Sequence, residues 1–516
     1  MIIRLFLGAL PLVLSMPLLA QEQEFNFESV IGKARDLASR PYAAPAQVPR
    51  FLRDLNYQDY QGIRFKPEES LWIDEDTRFK VMMIPPGLFY RHAVRINVIE
   101  DGAADPVNFE KNQFTYPTPD IERLVPADLG YAGFKLTFPF EGPDVMNQFL
   151  VFAGASYYRA VGKANNFGLS GRGIAVDTGL PSGEEFPSFV EFWLEKPAAD
   201  AEDMTFYGLL DGESLAGAYK FIVTPGEQTE IRVESALFPR NPVEMLGLAP
   251  LTSMFYYGEN TLLPPGEWRP EVHDSDGLLI HDGDSDEWLW RPLRNPETLS
   301  IDYFATRNVR GFGLIQRDVD FTSYMDLEAR YESRPSAWIE PEGDWGQGQV
   351  VLVQLPTTDE TNDNIVSFWR TDGEISKEQS LHFNFTARFG DEHVAGERLA
   401  RTVDSYLGDG MRVGGGDKPG SVRVIVDFAD GPLADLKPDA PVVGNVSGLQ
   451  DTEVLEHFVE YVEPLNRWRL SILARPAAGR PLGLRAYLSQ NEDTLSETWS
   501  YELPAGSGVL GVIQRK

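Results

Sequence analysis

Cysteine is absent from all 516 residues. That excludes disulfides, thiolate nucleophiles and cysteine-ligated metals. Basic residues are scarce beside the acids: 46 Lys and Arg against 78 Asp and Glu give a formal net charge of −32. Nucleic acids and anionic membrane surfaces require a cationic footprint, so neither is an expected partner, whereas a neutral glycan is compatible. There are six histidines, none in a zinc-ligand spacing, and no metal or other cofactor is expected. Gly-x-Ser-x-Gly is missing as well, which removes support for a serine hydrolase. Apolar runs are short except for Leu5 to Leu19, which follows Arg4 and ends before Ala20 and the polar Gln21 to Glu24. This layout predicts a signal peptide over residues 1–20, without paired arginines, and an exported, periplasmic protein with no membrane anchor.

What is present points to an all-β chain. Asn26 caps a predicted helix over Phe25 to Ser39 with Val30, Ile31, Ala34 and Leu37 on one face, and a second short helix is expected from Pro49 through Leu55. From there the pattern turns to period two. Leu71 to Ile73, Arg78 to Ile84, Ala93 to Ile99, Phe134 to Phe140, Phe149 to Phe152, Ser188 to Leu194, Ala218 to Val223 and Thr229 to Glu234 read as strands between turn signals. The expected architecture is a large β-sandwich with decorated loops over residues 21–395, its sheet spanning roughly 55–390. A linker is expected over 396–420, containing a helical candidate at Glu397 to Leu407 and the glycine-rich 414–420. A smaller immunoglobulin-like sandwich is expected over 421–516.

Chemistry concentrates in Arg330 to Trp369. Seven carboxylates occur there (Glu332, Glu340, Glu342, Asp344, Asp359, Glu360 and Asp363) with two basic residues, Arg330 and Arg334. Tyr331, Trp338, Trp345, Phe368 and Trp369 are interleaved, and Val350 to Val353 predicts a buried strand at the centre. Acids beside aromatic faces suit sugar chemistry, and a solvated acidic loop is the alternative. Core packing is the alternative for each tryptophan. A second stretch holds His273-Asp-Ser-Asp-Gly277 and His281 to Asp286. Both resemble calcium-loop fragments but lack the spacing of one, and Asx-type turns are the simpler account, more so for Asp282 to Asp286. Tyr157, Arg159 and Arg172, beside the run Gly168-Leu-Ser-Gly-Arg-Gly173, can offer contacts to a polar ligand. Arg310 to Arg317 has glycines that fit strand bends.

The runs Tyr331-Glu-Ser-Arg-Pro-Ser-Ala-Trp-Ile-Glu-Pro and Leu355-Pro-Thr-Thr-Asp-Glu-Thr-Asn-Asp-Asn-Ile-Val-Ser-Phe-Trp, with Arg-Pro-Glu-Val-His-Asp-Ser-Asp-Gly-Leu before them, resemble the OpgG/OpgD (MdoG) family of periplasmic glucan biosynthesis proteins. The resemblance covers essentially the whole mature chain and is nearer the OpgG branch. It implies a large β-sandwich joined to an immunoglobulin-like domain. It also implies work on osmoregulated glucans with a β-1,2-linked backbone, as an inverting endo-β-1,2-glucanase. Asp363 then matches the general acid, Tyr331 a site tyrosine, and Asp274 or Asp276 the base side. Asp359 and Glu360 are the nearest rivals to Asp363 for that role and, as its neighbours, are expected to raise its pKa. Tyr157, Arg159, Arg172, Trp338, Trp345, Glu360 and Trp369 become candidate substrate contacts. The alternative is a non-catalytic glucan-binding protein that guides the nascent chain from the inner-membrane glucan synthase.

Overall fold

The computed structural model describes residues 24–143, 145–373, 375–377, 379–411, 418–507 and 510–511; the expected signal peptide and most of the glycine-rich stretch lie outside them. The chain is all-β, as the periodicity predicts. Among the described residues, two large sheets face one another. One has ten strands, running from Lys80–Ile84 through Gly133–Phe138, Asn147–Ala153, Tyr157–Ala160 and Ser170–Arg172 to Leu246–Ser253, Ile365–Thr371, Gln347–Gln354 and Ser300–Arg307. The other has fifteen and includes Ser188–Glu195, Met204–Asp211, Leu215–Thr224, Thr229–Pro239, Leu381–Gly390, Ser336–Glu342, Gly311–Ile315 and Gly277–His281.

Alternation supplies the core between them. Phe134 and Phe152 from the first sheet meet Phe206 of the second edge to face, with ring centroids 5.5 and 5.3 Å apart. Such contacts add to the burial of large apolar areas. Helix Phe27–Ala38 forms as expected, with Asn26 accepting from the Ser29 amide. It lays Val30, Ile31 and Ala34 on the outer face of the second sheet, against Trp193 and Tyr207. The short helix after Pro49 covers only Arg50–Arg53.

Two local expectations fail. Leu71 to Ile73 is a turn with a single bridge, Leu71 to Val81, because Trp72 takes a left-handed φ of 63°, which strands do not use. Glu397 to Leu407 is not helical. Strand Arg401–Asp409 occupies that stretch and pairs with Val422–Ala429. Its buried positions come from strand alternation and tertiary pairing, which override the helix-favouring residues before it.

The C-terminal strands Val443–Leu449, Leu482–Gln490 and Thr498–Leu503 extend the fifteen-stranded sheet through a parallel pairing of Leu289 with Thr498. They face a four-stranded sheet of Arg401–Asp409, Val422–Ala429, Arg467–Arg475 and Glu453–Val462. Their shared core includes Trp290 and Trp338 from the preceding strands. A buried ion pair, Arg317 with Glu497 at 2.5 and 2.9 Å, adds a polar tie between these regions.

Candidate functional site

Asp363 is the last residue but one of the connection between strands Gln347–Gln354 and Ile365–Thr371. Three side chains shape this connection. Asn364, buried, accepts from the Phe255 amide (2.8 Å) and donates to the carbonyls of Phe255 and Leu355 (3.0 Å each). Asn295 accepts from the Thr357 amide and donates to its carbonyl, both at 2.9 Å. Asp359 accepts from the Thr361 amide at 2.9 Å and the Asn362 side chain at 3.2 Å. Asp359 is therefore committed to the turn. Glu360 pairs with Arg269 at 2.7 Å. The nearest basic partner of Asp363 is Arg159, at 3.9 Å.

Arg159 arrives by strand alternation. On Tyr157–Ala160, Tyr158 and Ala160 enter the core while Tyr157 and Arg159 face outward. Arg159 is held by a hydrogen bond to Ser170 (2.9 Å). Arg172 lies 4.7 Å over the Tyr157 ring and pairs with Glu184 at 2.5 Å. Burial raises the Tyr157 phenol pKa; Arg172 opposes, and Glu184 and Asp363 add to the rise. Tyr157, Arg159 and Ser170 border a groove of about 610 Å³ that Tyr90, Phe167 and Asp363 also line, whereas Arg172, buried and paired with Glu184, does not reach it. The glycine run beside it is a packing device. A Cβ on Gly168 would meet the Arg334 side chain at 2.9 Å, and one on Gly171 would meet the Tyr158 ring at 2.3 Å.

Asp274 and Asp276 part company. Asp274 is buried and ion-paired to Arg334, whose guanidinium lies 4.3 Å over the Tyr331 ring. Burial raises the Asp274 pKa; Arg334 opposes this, and Asp363 adds to the rise. Tyr331 is buried, and its phenol is likewise raised, first by burial. Asp274, Tyr331, Arg334, Arg159 and Asp363 thus converge from four separated segments.

Asp276 belongs to a different, buried cluster. Its Oδ2 accepts from the amides of Arg317 and Asp318, and its Oδ1 is 3.4 Å from His273 Nε2. Glu271 is 2.9 Å from the same nitrogen. For His273, burial acts to lower the pKa, but Asp276, Glu271 and Glu259 outweigh it and lift it to about 9. Burial, then neighbouring acids, raise Asp318 and Glu259 well above the carboxylate range. Ligand atoms of Glu271, His273, Asp276 and Asp318 all lie within 4.8 Å of one another, so these four could hold a cation. Their existing hydrogen bonds already give His273 the role of the cluster's own cation. The other Asp-rich stretch is an Asx turn, with Asp282 Oδ1 accepting from the Asp284 and Ser285 amides.

The tryptophans correct the sequence reading. Trp369 is wholly buried in the main core and Trp338 is buried in the C-terminal one, so neither presents a face to a sugar. Gly311 and Gly313 leave space for Trp338. Trp345 is partly buried, donates to the Asn384 carbonyl (3.2 Å), and packs on Trp369, Phe383 and Phe385. It precedes the far end of the Gln347–Gln354 strand, about 20 Å from the Asp363 end by strand rise. Glu360 and Asp359 bond elsewhere instead of flanking the Asp363 carboxylate. Sequence reasoning missed Arg334, Arg269, Asn364, Tyr90 and Phe167. Arg334 had a signal: it is one of two cations in a stretch of seven acids.

The chain matches the family model of the periplasmic glucan biosynthesis protein MdoG over residues 25–503. It is 41% identical over 492 residues to glucans biosynthesis protein G of Pseudomonas aeruginosa (strain LESB58), covering 93% of each chain. The protein of that name from Dickeya dadantii is 40% identical over 491 residues, again covering 93% of each. The one from Ralstonia nicotianae is 40% identical over 508 residues, 98% of this chain and 100% of that one.

Proposed function

Because the chain belongs to the MdoG family of periplasmic glucan biosynthesis proteins, we propose that it acts in periplasmic glucan biosynthesis as an inverting endo-β-1,2-glucanase. The convergence of Asp274, Arg334 and Tyr331 behind Asp363 and Arg159, the two of the five that line the groove, carries this reading. Inverting hydrolysis requires one carboxyl group to protonate the glycosidic oxygen. A second takes a proton from water as that water attacks the anomeric carbon. The acid must hold its proton at working pH, which burial promotes. Asp274, raised by burial, is assigned as the acid, and Asp363, which reaches solvent in the groove, as the base. This reverses the roles implied by the family resemblance. Tyr157, Tyr90 and Phe167 supply ring faces for glucose units, and Arg159 positions Asp363.

The test is hydrolysis of linear β-1,2-glucan, with the anomeric form of the product followed by NMR. Asp274→Asn and Asp363→Asn should each lose turnover. An aryl glycoside of the same glucan needs little leaving-group protonation, so it should restore Asp274→Asn and not Asp363→Asn. Rescue of Asp363→Asn alone would overturn the assignment, and full wild-type activity in either variant would remove that residue from catalysis.

One observation favours a second reading. The ion pair with Arg334 already commits Asp274, which suits a binding protein that guides the nascent glucan from its membrane synthase. Glucan binding without cleavage by the wild type would select it.

A further inference from the structure

Of the ten tryptophans, Trp268 alone is exposed, with 67% of its surface open to solvent. An indole is normally taken into a core or an interface. Its neighbours hold this one out. Glu267 Oε1 accepts from the Trp268 and Arg269 amides at 3.0 and 3.2 Å. Tyr257 donates to the Arg269 carbonyl at 3.1 Å. The backbone on both sides of the ring is therefore fixed.

The Arg269 guanidinium extends that support. It pairs with Glu267 at 2.8 Å, Asp326 at 3.0 Å and Glu360 at 2.7 Å. Asp326 accepts in turn from the Glu328 and Ala329 amides, both at 2.9 Å. One cation thus joins the three connections that lead into Asp274, Tyr331 and Asp363. Met325 and Leu327, on either side of Asp326, are exposed as well. A ring held still before a ligand arrives loses little entropy on stacking.

Position points to the ligand. Glu360 and Asp363 are three residues apart, at most about 10 Å, so Trp268 stands within a few sugar units of the proposed chemistry. It is not a wall of the groove. The groove covers strands Gly133–Phe138 to Ser170–Arg172. Asp363 leads into Ile365–Thr371, beyond Leu246–Ser253 in the same sheet, and Glu360 lies in the connection to the next strand, Gln347–Gln354. Trp268 therefore continues the line of the groove past Asp363. Cleavage within a chain holds sugar units on both sides of the broken bond, and Tyr90, Tyr157 and Phe167 serve only one side. Three carboxylates on one guanidinium leave the surroundings acidic, which repels anions and admits a neutral sugar.

We propose that Trp268, with Met325 and Leu327 beside it, is a stacking platform for a glucose unit of the glucan beyond Asp363. The platform rests on the glucan reading and adds a binding residue to it.

Calorimetric titration with linear β-1,2-glucan tests it, in the Asp363→Asn background so that cleavage does not consume the ligand. Trp268→Ala should weaken binding tenfold or more, and Trp268→Phe, which keeps a ring, should stay within threefold. Neither should move the melting temperature, since the ring is exposed. In the Asp363→Asn protein, saturating glucan should shield the exposed indole from acrylamide quenching. Equal affinity in Trp268→Ala, or quenching unchanged at saturation, overturns the platform. If the wild type still cleaves glucan in that case, the glucanase reading stands without it. A tenfold loss in Trp268→Ala with no cleavage by the wild type keeps the platform and favours the binding reading. Absence of glucan binding in the Asp363→Asn and wild-type proteins overturns both.

Discussion

Asn364 grips Phe255 through both ends of its amide, accepting from the backbone N–H at 2.8 Å and donating to the carbonyl at 3.0 Å. Phe255 pairs with His273. Asn364 follows Asp363 in the chain, and His273 precedes Asp274. One buried side chain therefore sets the spacing of the two proposed catalytic acids. Asn364→Ala removes three hydrogen bonds and strands buried backbone groups, at a cost of about 3 kcal/mol. Thermal melts should show the loss of stability, and glucan turnover should fall further than melting explains. Turnover equal to wild type would show that the spacing tolerates the change.

Arg334 is the counter-charge of Asp274. Arg334→Gln should raise the Asp274 pKa further. Since Asp274 works protonated in the proposed reaction, the alkaline limb of the pH–rate profile should move to higher pH. The maximal rate should drop about 10²-fold through lost orientation of Asp274 and Tyr331. An unmoved alkaline limb would separate Arg334 from the proton donor.

Trp338 and Trp369 are predicted to act in folding. Trp338→Ala and Trp369→Ala should each cost about 3–5 kcal/mol in chemical denaturation. Tyr157→Ala, at the groove, should instead weaken glucan affinity with a small change in melting temperature. Fluorescence-monitored unfolding and glucan titration of the three variants distinguish the two classes.

The His273 cluster predicts a pH dependence of stability. The His273 pKa is raised to about 9 from an unperturbed value near 6.5. A raised folded-state pKa gives stability that is fully present below the unfolded value and lost as pH rises through the folded one. Unfolding free energy should therefore fall between about pH 6.5 and 9, by up to about 3 kcal/mol. The raised Asp318 and Glu259 act with the same sign. Urea unfolding across that interval measures the slope, and His273→Gln should flatten it.

The sequence by itself determined what local rules control. Strand alternation, turn residues and the Asn26 cap marked the helix Phe27–Ala38 and most strands of both sandwiches, because side-chain period and capping chemistry act over a few residues. The acidic run with Tyr331 and Asp363 was also legible, through residue type and family resemblance. Tertiary structure decided which of those side chains meet. Asp274 and Asp276 stand two residues apart, yet one reaches Arg334 and the other the His273 cluster. Trp338 and Trp369 have the same side chain that would suit a sugar site, and each is instead taken into a core. Residue type fixes what a group can do, but which side of a strand is dry depends on the sheet packed against it, and that partner comes from chain hundreds of residues away.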